Sequence, residues 1–492
     1  MTDGMSAPRV HTGTGESMAA DRRRRKALWV CLTASFMTLL DVSIVNVALP
    51  SIQRGLGAAS DDLSWVVSGY ALTFGLVLVP AGRFGDQRGR RNAFLLGIAL
   101  FTLASAFCGL AQSPGWLVAS RLVQGAAAGW VTPQVFGLIQ QMFEGARRAR
   151  AFGMLGSVVG IATAVGPIAG GLLIEAFGAA DGWRWVFFVN LPIGIAVSVV
   201  SPRLLPATAP DERPPHTGFD PAGVLLLGTG VVCLMLPLAQ EQQWKGNGKW
   251  LLTLLGALVL AAFWFWERRQ GRRGCSPVLD LRLFRLRSFA LGALLGMVYF
   301  AGFTTVFFIY SIFLQSGLRY GALQAGLAMV PFAAGSGIAA AAGGRLVVRY
   351  GRGLVVFGLL GVAVGIAATL VAVRFVPGHG APWATALPLL LAGIGSGLTI
   401  APNTVLTLTE VPVELAGSAA GVLQTGQRIG TAAGIAAVGA VFFAHLANHH
   451  DWAAALQLGL ATVLFFVFAA LVVALTDLRA SRRAEPLRRT RS

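Results

Sequence analysis

The chain is 492 residues long, 55% hydrophobic and only 12% charged, with a mean hydropathy of +0.68. Soluble chains carry about 25% charged residues, so this composition excludes a soluble globular domain and belongs in a bilayer. The net charge of +18 raises the question of nucleic acid as a partner, and the placement of the cations answers it.

About fourteen apolar stretches are separated by short polar breaks, at 27–50, 63–82, 93–112, 116–141, 151–175, 184–205, 220–239, 250–266, 289–314, 323–344, 354–375, 383–406, 416–443 and 453–476. Each is near the roughly 20 residues that a helix needs to span a membrane. The expected fold is therefore all-α and integral to the membrane, with helices rather than a barrel. With the N-terminus inside, about 31 of the 39 Lys and Arg residues fall in inner segments. Only about six (Arg54, Arg184, Lys245, Lys249, Arg319, Arg374) fall in outer ones, while Arg121 and Arg428 lie inside stretches. This positive-inside pattern puts both termini in the cytoplasm and makes the basic segments topology anchors, with no nucleic-acid partner. Cys31, Cys108, Cys233 and Cys275 have no metal-ligand spacing and no expected disulfide.

In chain order, residues 1–26 form a basic cytoplasmic tail whose first part, polar and rich in Gly and Ser, is expected to be disordered. The first apolar stretch follows Arg22–Lys26 but runs too long, without a small-residue cleavage pattern, to be a signal peptide. It holds Asp41, the one acid placed deep inside a stretch. A carboxylate there is costly and marks a pathway or proton site; structural pairing is the plainer alternative.

After the second stretch comes Gly82-Arg83-Phe84-Gly85-Asp86-Gln87-Arg88-Gly89-Arg90. A Gly-rich turn lets two helix ends approach, and Asp86 with Arg83, Arg88 and Arg90 can make charge-assisted bonds to a neighbouring helix end, holding a gate shut in one state. Arg121, in the fourth stretch, lies about 6 Å from Asp41 in depth at 1.5 Å rise per residue, so the two can pair; bonding to backbone carbonyls is the alternative. The fifth stretch carries Gly156, Gly160, Gly166, Pro167, Gly170 and Gly171, whose four-residue spacings favour close helix packing.

A Pro-rich segment at 206–219 and an Arg-rich one at 267–288 flank the seventh and eighth stretches. The expected organisation is thus a six-helix bundle over 27–205, a linker with two extra helices over 206–288, a second six-helix bundle over 289–476 and a basic tail over 477–492. Gly344-Arg345-Leu346-Val347-Val348-Arg349-Tyr350-Gly351-Arg352 repeats Gly, Arg, Gly and Arg of the 82–90 segment in register. Both copies fall between the second and third helices of their bundles, as duplicated transporter halves require, although Asp86 has no counterpart. Asn46, Trp65, Tyr70, Gln124, Phe303, Phe307 and Tyr310 are candidates to line a cavity for a flat hydrophobic ligand; aromatic residues in such helices more often pack or face lipid. Gly393, Gly397 and Ala401 favour packing, and Arg428 is divided between gating and snorkelling. His445, His449 and His450 beside Asp451 do not make a metal site.

The 82–90 segment resembles the loop signature of the major facilitator superfamily. Leu40-Asp41-Val42-Ser43-Ile44-Val45-Asn46-Val47-Ala48-Leu49-Pro50 resembles the first-helix motif of its fourteen-helix drug:proton antiporters. Trp183-Arg184-Trp185 through Asn190-Leu191-Pro192 resembles the start of that subfamily's sixth helix, and Leu279-Asp280-Leu281-Arg282-Leu283-Phe284 its link into the second bundle. The resemblance covers about 27 to 476. It implies proton coupling through Asp41 and through Arg121, within Arg121-Leu122-Val123-Gln124-Gly125. It also implies export rather than import, from the likeness of Gly160 through Gly166-Pro167 to Gly170-Gly171 to the antiporter signature of the fifth helix.

The expected function is proton-coupled efflux of small amphiphilic drug or antibiotic molecules across a bacterial inner membrane by alternating access, in a monomer without cofactors. A proton-coupled importer of a small organic solute is the alternative. The excess of Arg over Lys and the abundance of Ala and Gly fit a high-GC bacterial genome. No G-x-x-x-x-G-K-[ST] loop supports an ATP-driven pump, and no H-E-x-x-H or G-x-S-x-G motif supports an enzyme.

Overall fold

The computed structural model describes residues 13–178, 180–206, 220–239, 244, 246, 248–273, 277–376 and 378–489. Lys245, Cys275 and most of the Pro-rich 206–219 segment lie outside the described residues. Every apolar stretch falls on helix. The first bundle contains α1 (Gly13–Leu56), α2 (Ser60–Arg88), α3 (Arg90–Gly109), α4 (Pro114–Met142), α5 (Gly145–Phe177) and the pair α6 (Gly182–Phe188) and α7 (Asn190–Leu204). Two further helices follow, α8 (Pro221–Ala239) and α9 (Lys249–Arg272). The second bundle contains α10 (Arg287–Ile312), the pair α11 (Ala322–Ala328) and α12 (Val330–Tyr350), α13 (Arg352–Phe375), α14 (Ala381–Leu408), α15 (Ala416–His449) and α16 (Trp452–Arg489).

Thirteen helices among the described residues are long and apolar enough to cross a membrane. α4 falls outside that count because Arg121, Gln124, Gln134 and Gln140, all buried, dilute its hydropathy. Two single stretches are divided, at Val189 and at Met329. Pro192 and Pro331 follow these breaks and lack the N–H that would bond back four residues, so the chain restarts a helix there. At the ends, α1 reaches back to Gly13, into the tail expected to be disordered, and α16 continues to Arg489, through the expected C-terminal tail.

Inside each bundle the packing repeats. α1 packs on α5, α2 on α4 and α3 on α4; α10 packs on α15, α12 on α14 and α13 on α14 in the same order. Between the bundles, the second helix of each meets the fifth helix of the other, as α2 with α15 and α12 with α5. The duplication glimpsed in the two Gly-Arg segments therefore extends to the whole arrangement. α8 packs on α9 and lies against α2 and α15, where the bundles meet.

Small residues determine how close these helices come. A methyl at Gly160 would lie 2.7 Å from the Ala333 carbonyl oxygen, and one at Gly153 would lie 2.8 Å from Gly344 Cα, so α5 and α12 touch backbone to backbone. Gly166 and Gly170 make room for the Ser43 and Ile44 side chains of α1, while Pro167 packs on Gly326 and Gly171 faces Leu323. Gly393 and Gly397 of α14 sit on the backbone of α12 at Phe332 and Ser336.

Candidate functional site

Asp41 lies in the middle of α1 with no solvent exposure. Its Oδ2 accepts from Arg121 Nη1 of α4 at 2.6 Å, and its Oδ1 accepts from Gln124 Nε2 and from Asn190 Nδ2, each at 2.8 Å. Arg121 also donates from Nε to the Val66 carbonyl at 3.0 Å and from Nη1 to Gln124 Oε1 at 2.7 Å. Gln124 Nε2 donates onward to Ser105 Oγ at 2.7 Å. The sequence alternatives for Arg121, an acid or backbone carbonyls, are thus both realised. A buried ion pair is sustained only when its remaining hydrogen-bonding capacity is met, and here four helices and the start of α7 supply the partners. Arg121 lies 4.2 Å from the Tyr70 ring centroid, a cation–π contact.

Asn190 was not among the sequence candidates. It stands in the quoted Val189-Asn190-Leu191-Pro192 segment, and the helix break there turns its amide toward Asp41. Ser105 carries no signal in the sequence: a lone hydroxyl in an apolar helix is commonplace.

The 82–90 segment forms a second cluster. Gly82 packs on Gly417, and Gly89, at φ 101°, closes α2 and opens α3. Asp86 Oδ1 accepts from Gly417 N at 3.0 Å, and its Oδ2 accepts from Ser418 N and Ser418 Oγ, both at 2.8 Å. These are the orphan donors of the first turn of α15, so a carboxylate of one bundle caps a helix of the other, where the helix dipole favours negative charge. Arg90 holds that carboxylate at 2.8 Å and donates to the carbonyls of Gly137 and Val413. Arg88 is exposed and lies over the Phe84 ring, and Arg83 interacts electrostatically with Glu267.

The second Gly-Arg copy is built alike but serves its own bundle. Arg352, in register with Arg90, lies 2.8 Å from Asp477 Oδ2 of α16, although this pair lacks hydrogen-bond alignment. Arg352 also donates to Asn403 and to the Ser288 carbonyl. The acid missing from the repeat thus comes from a distant helix.

Between the bundles lies a cavity of about 660 Å³. Ser64, Val67, Ser68, Ala71 and Leu72 of α2 face it at helical spacing, as do Arg428, Thr431, Ile435 and their neighbours on α15; Phe308 of α10 and Met235 and Leu238 of α8 complete the wall. It occupies the Ser60 end of α2 and the His449 end of α15, away from the Asp86 cluster. A smaller cavity of about 60 Å³ adjoins Asn46, Tyr70, Arg121 and Arg428.

Of the sequence candidates, Asn46 and Tyr70 therefore reach a cavity, and Gln124 belongs to the Asp41 network. Trp65 is one position off the lining face of α2. Phe303 and Phe307 pack with Phe332 inside the second bundle, and Tyr310 hydrogen-bonds Thr385; none of these three lines either cavity. Phe308, one residue and about 100° around the helix from Phe307, does so instead. His445 and His449 stack on each other, and no group of three metal-binding side chains occurs among the described residues.

Two bundles repeating one packing plan, a charged network sealed in their interior and a cavity where they meet define a multi-pass membrane transporter. Residues 31–435 match the family model of the Major Facilitator Superfamily, and the chain belongs to that family. It is 36% identical over 439 residues to the probable actinorhodin transporter of Streptomyces coelicolor, covering 89% of this chain and 75% of the relative. The tetracenomycin C resistance and export protein of Streptomyces glaucescens is 32% identical, covering 82% of this chain and 73% of the relative. The puromycin resistance protein pur8 of Streptomyces alboniger is 35% identical, covering 87% and 84%. Among solved structures, the human organic anion transporter MFSD10 superimposes with a TM-score of 0.65 at 15% identity, covering 92% of this chain and 99% of that one, a likeness of fold. The chain is a multi-pass protein of the bacterial inner membrane and a transporter rather than an enzyme.

Proposed function

We propose that this protein exports small amphiphilic drug or antibiotic molecules across the bacterial inner membrane in exchange for protons, by rocking two bundles around a central cavity. In this reading fourteen helices cross the membrane with both termini in the cytoplasm, residues 27–205 and 289–476 are the moving bundles, and 206–288 is the insert. Asp41 takes up the proton and Arg121 is its counter-ion. The observation that carries the proposal is the Asp41 carboxylate, fully buried and held by Arg121, Gln124 and Asn190. Arg121, stacked on the Tyr70 ring, lines the smaller cavity together with Arg428.

Protonation of Asp41 removes the charge that holds Arg121, leaving the guanidinium to Gln124, Val66 and the Tyr70 face. Tyr70 lies against Phe74, and Phe74 against Arg428, so the change at Asp41 reaches the large cavity through a short chain of contacts. Substrate affinity then differs between the protonated and deprotonated forms, and that difference is what an ion gradient can exploit. The Gly82–Arg90 segment is the gate: its bonds from Asp86 and Arg90 to the start of α15 hold the cytoplasmic end closed and break when the bundles rock. Gly160, Gly166, Pro167, Gly170 and Gly171 shape the fifth helix on which the bundles bear. The names of the curated relatives, resistance and export proteins of antibiotic producers, support outward movement.

The test is proton release from inside-out vesicles with an acidified lumen, followed by a pH-sensitive dye as lipophilic drugs are added. Substrate-dependent alkalinisation is expected, and it should vanish in Asp41→Asn while the protein remains folded in the membrane. Undiminished gradient-driven export by that variant would remove Asp41 from the mechanism, and drug uptake against the direction expected would support the importer instead.

A further inference from the structure

Arg428 is the one charge on the wall of the large cavity, among side chains that are otherwise apolar or carry only a hydroxyl. Its neighbour in the fold is the Phe74 ring, 4.3 Å from the guanidinium carbon. Among the described residues no carboxylate pairs with it, and its Nε has no hydrogen-bond partner. One turn further along the same face of α15, Thr431 Oγ1 is also buried without a partner, and so is Tyr70 Oη, beside Arg428 at the smaller cavity. The contrast with Arg121, Arg90 and Arg352 is plain: each of those faces an acid.

Buried polar groups are almost always bonded, so two orphans on the wall of one cavity, Arg428 and Thr431, with a third beside Arg428 at the adjoining smaller one, require a reason. An embedded, uncompensated guanidinium is costlier still, and a cation–π contact with one ring offsets only part of that. A group that would satisfy all of them is an anion: guanidinium binds carboxylate or sulfonate oxygens through paired charge-assisted bonds, and a hydroxyl can donate to the same oxygens. The apolar wall, with Met235, Phe308 and Phe443, suits the rest of a ring-bearing molecule.

We propose that the transported molecules are ring-bearing amphiphiles with one acidic group, which is held by Arg428 and Thr431 in this cavity. The same charge discriminates against cationic amphiphiles, which would meet a like charge with no acid beside it among the described residues. This rests on the transport reading above by naming the substrate class of its cavity.

The experiment compares two fluorescent dyes that share the same rings and differ by one acidic group: 8-anilinonaphthalene-1-sulfonate and the uncharged N-phenyl-1-naphthylamine. Binding is measured with the full chain in nanodiscs, no gradient being imposed, and empty nanodiscs are subtracted. Wild type is expected to bind the sulfonate at least tenfold more tightly. Arg428→Met should abolish that preference while keeping the uncharged dye, Arg428→Lys should retain part of it, and Thr431→Val, a near-isosteric change, should weaken it severalfold. Equal affinities in wild type, or a preference that survives Arg428→Met, would overturn the proposal. The binding arm is independent of coupling. An anion preference without proton-linked export therefore supports the site while the antiport reading fails, and proton-linked export without the preference does the reverse.

Discussion

Replacing Asp86 by Asn is expected to open the end of the molecule that the 82–90 segment closes. The buried carboxylate accepts three bonds across the bundle interface, from Gly417 N, Ser418 N and Ser418 Oγ. The amide keeps the shape and one acceptor, but presents its NH₂ to donors that need an oxygen. A bond to a charged group contributes about 1.5–3 kcal/mol against about 1 for a neutral one, and the helix terminus adds about 0.3–1 kcal/mol for a negative charge. Losing about 1 kcal/mol at each of three bonds destabilises the closed state by about 3 kcal/mol, roughly a hundredfold in the equilibrium between states.

The assay is thiol labelling of a single cysteine placed at Val79, which packs against Gly421 in this interface, in a chain whose four native cysteines are replaced. A membrane-impermeant maleimide offered from the cytoplasmic side should react at least tenfold faster in the Asp86→Asn background. An unchanged rate in a folded Asp86→Asn protein would show that these bonds do not hold the end closed.

At Gly160, a side chain would meet the Ala333 carbonyl at 2.7 Å and Gly337 N at 2.8 Å, so Gly160→Leu is expected to push α5 off α12, lower the melting temperature in detergent and abolish export. Gly171→Ala, whose new methyl would be 3.6 Å from Leu323 Cδ1, should melt and transport as wild type; equal effects of the two would argue against close packing as the reason for the glycine run. Arg352→Met alone strands Asp477, side-chain exposure 6%, beside the membrane-embedded end of α16, at an expected cost of about 3 kcal/mol. The double variant Arg352→Met, Asp477→Leu should recover most of that stability, as read by thermal melting.

What the sequence made legible was what breaks the hydropathic pattern. Asp41 and Arg121 stand out because a charge in an apolar stretch is rare, and helical rise alone put them near one depth. Asp86 stood out through its Gly and Arg context. Asn190 and Ser105 complete the same network but are neutral, and hydropathy does not separate a polar group facing a buried carboxylate from one facing its own backbone. Asp477 was assigned to a solvated tail, and Glu267 to an inner loop, because hydropathy falls at those points; both are buried, Asp477 against Arg352 at the start of α13 and Glu267 beneath Leu279 and the start of α8. The aromatic candidates of α10 miss both cavities through phase: Phe307 and Phe308 are equivalent in composition, and only the rotation of α10, fixed by its glycine contacts with α14 and α15, decides which faces the cavity.

The two seams between the bundles are unlike. Along α5 and α12, backbone lies on backbone and leaves no width for a molecule to slip through. Along α2 and α15 the helices part toward the cavity, and Met235 and Leu238 of α8 stand across the opening. One helix of the extra pair thus walls the cavity on the side where the two bundles part, and the other packs behind it. Met235, whose flexible thioether adapts to its neighbours, packs against Gly75 of α2 and so ties that cover to the first bundle.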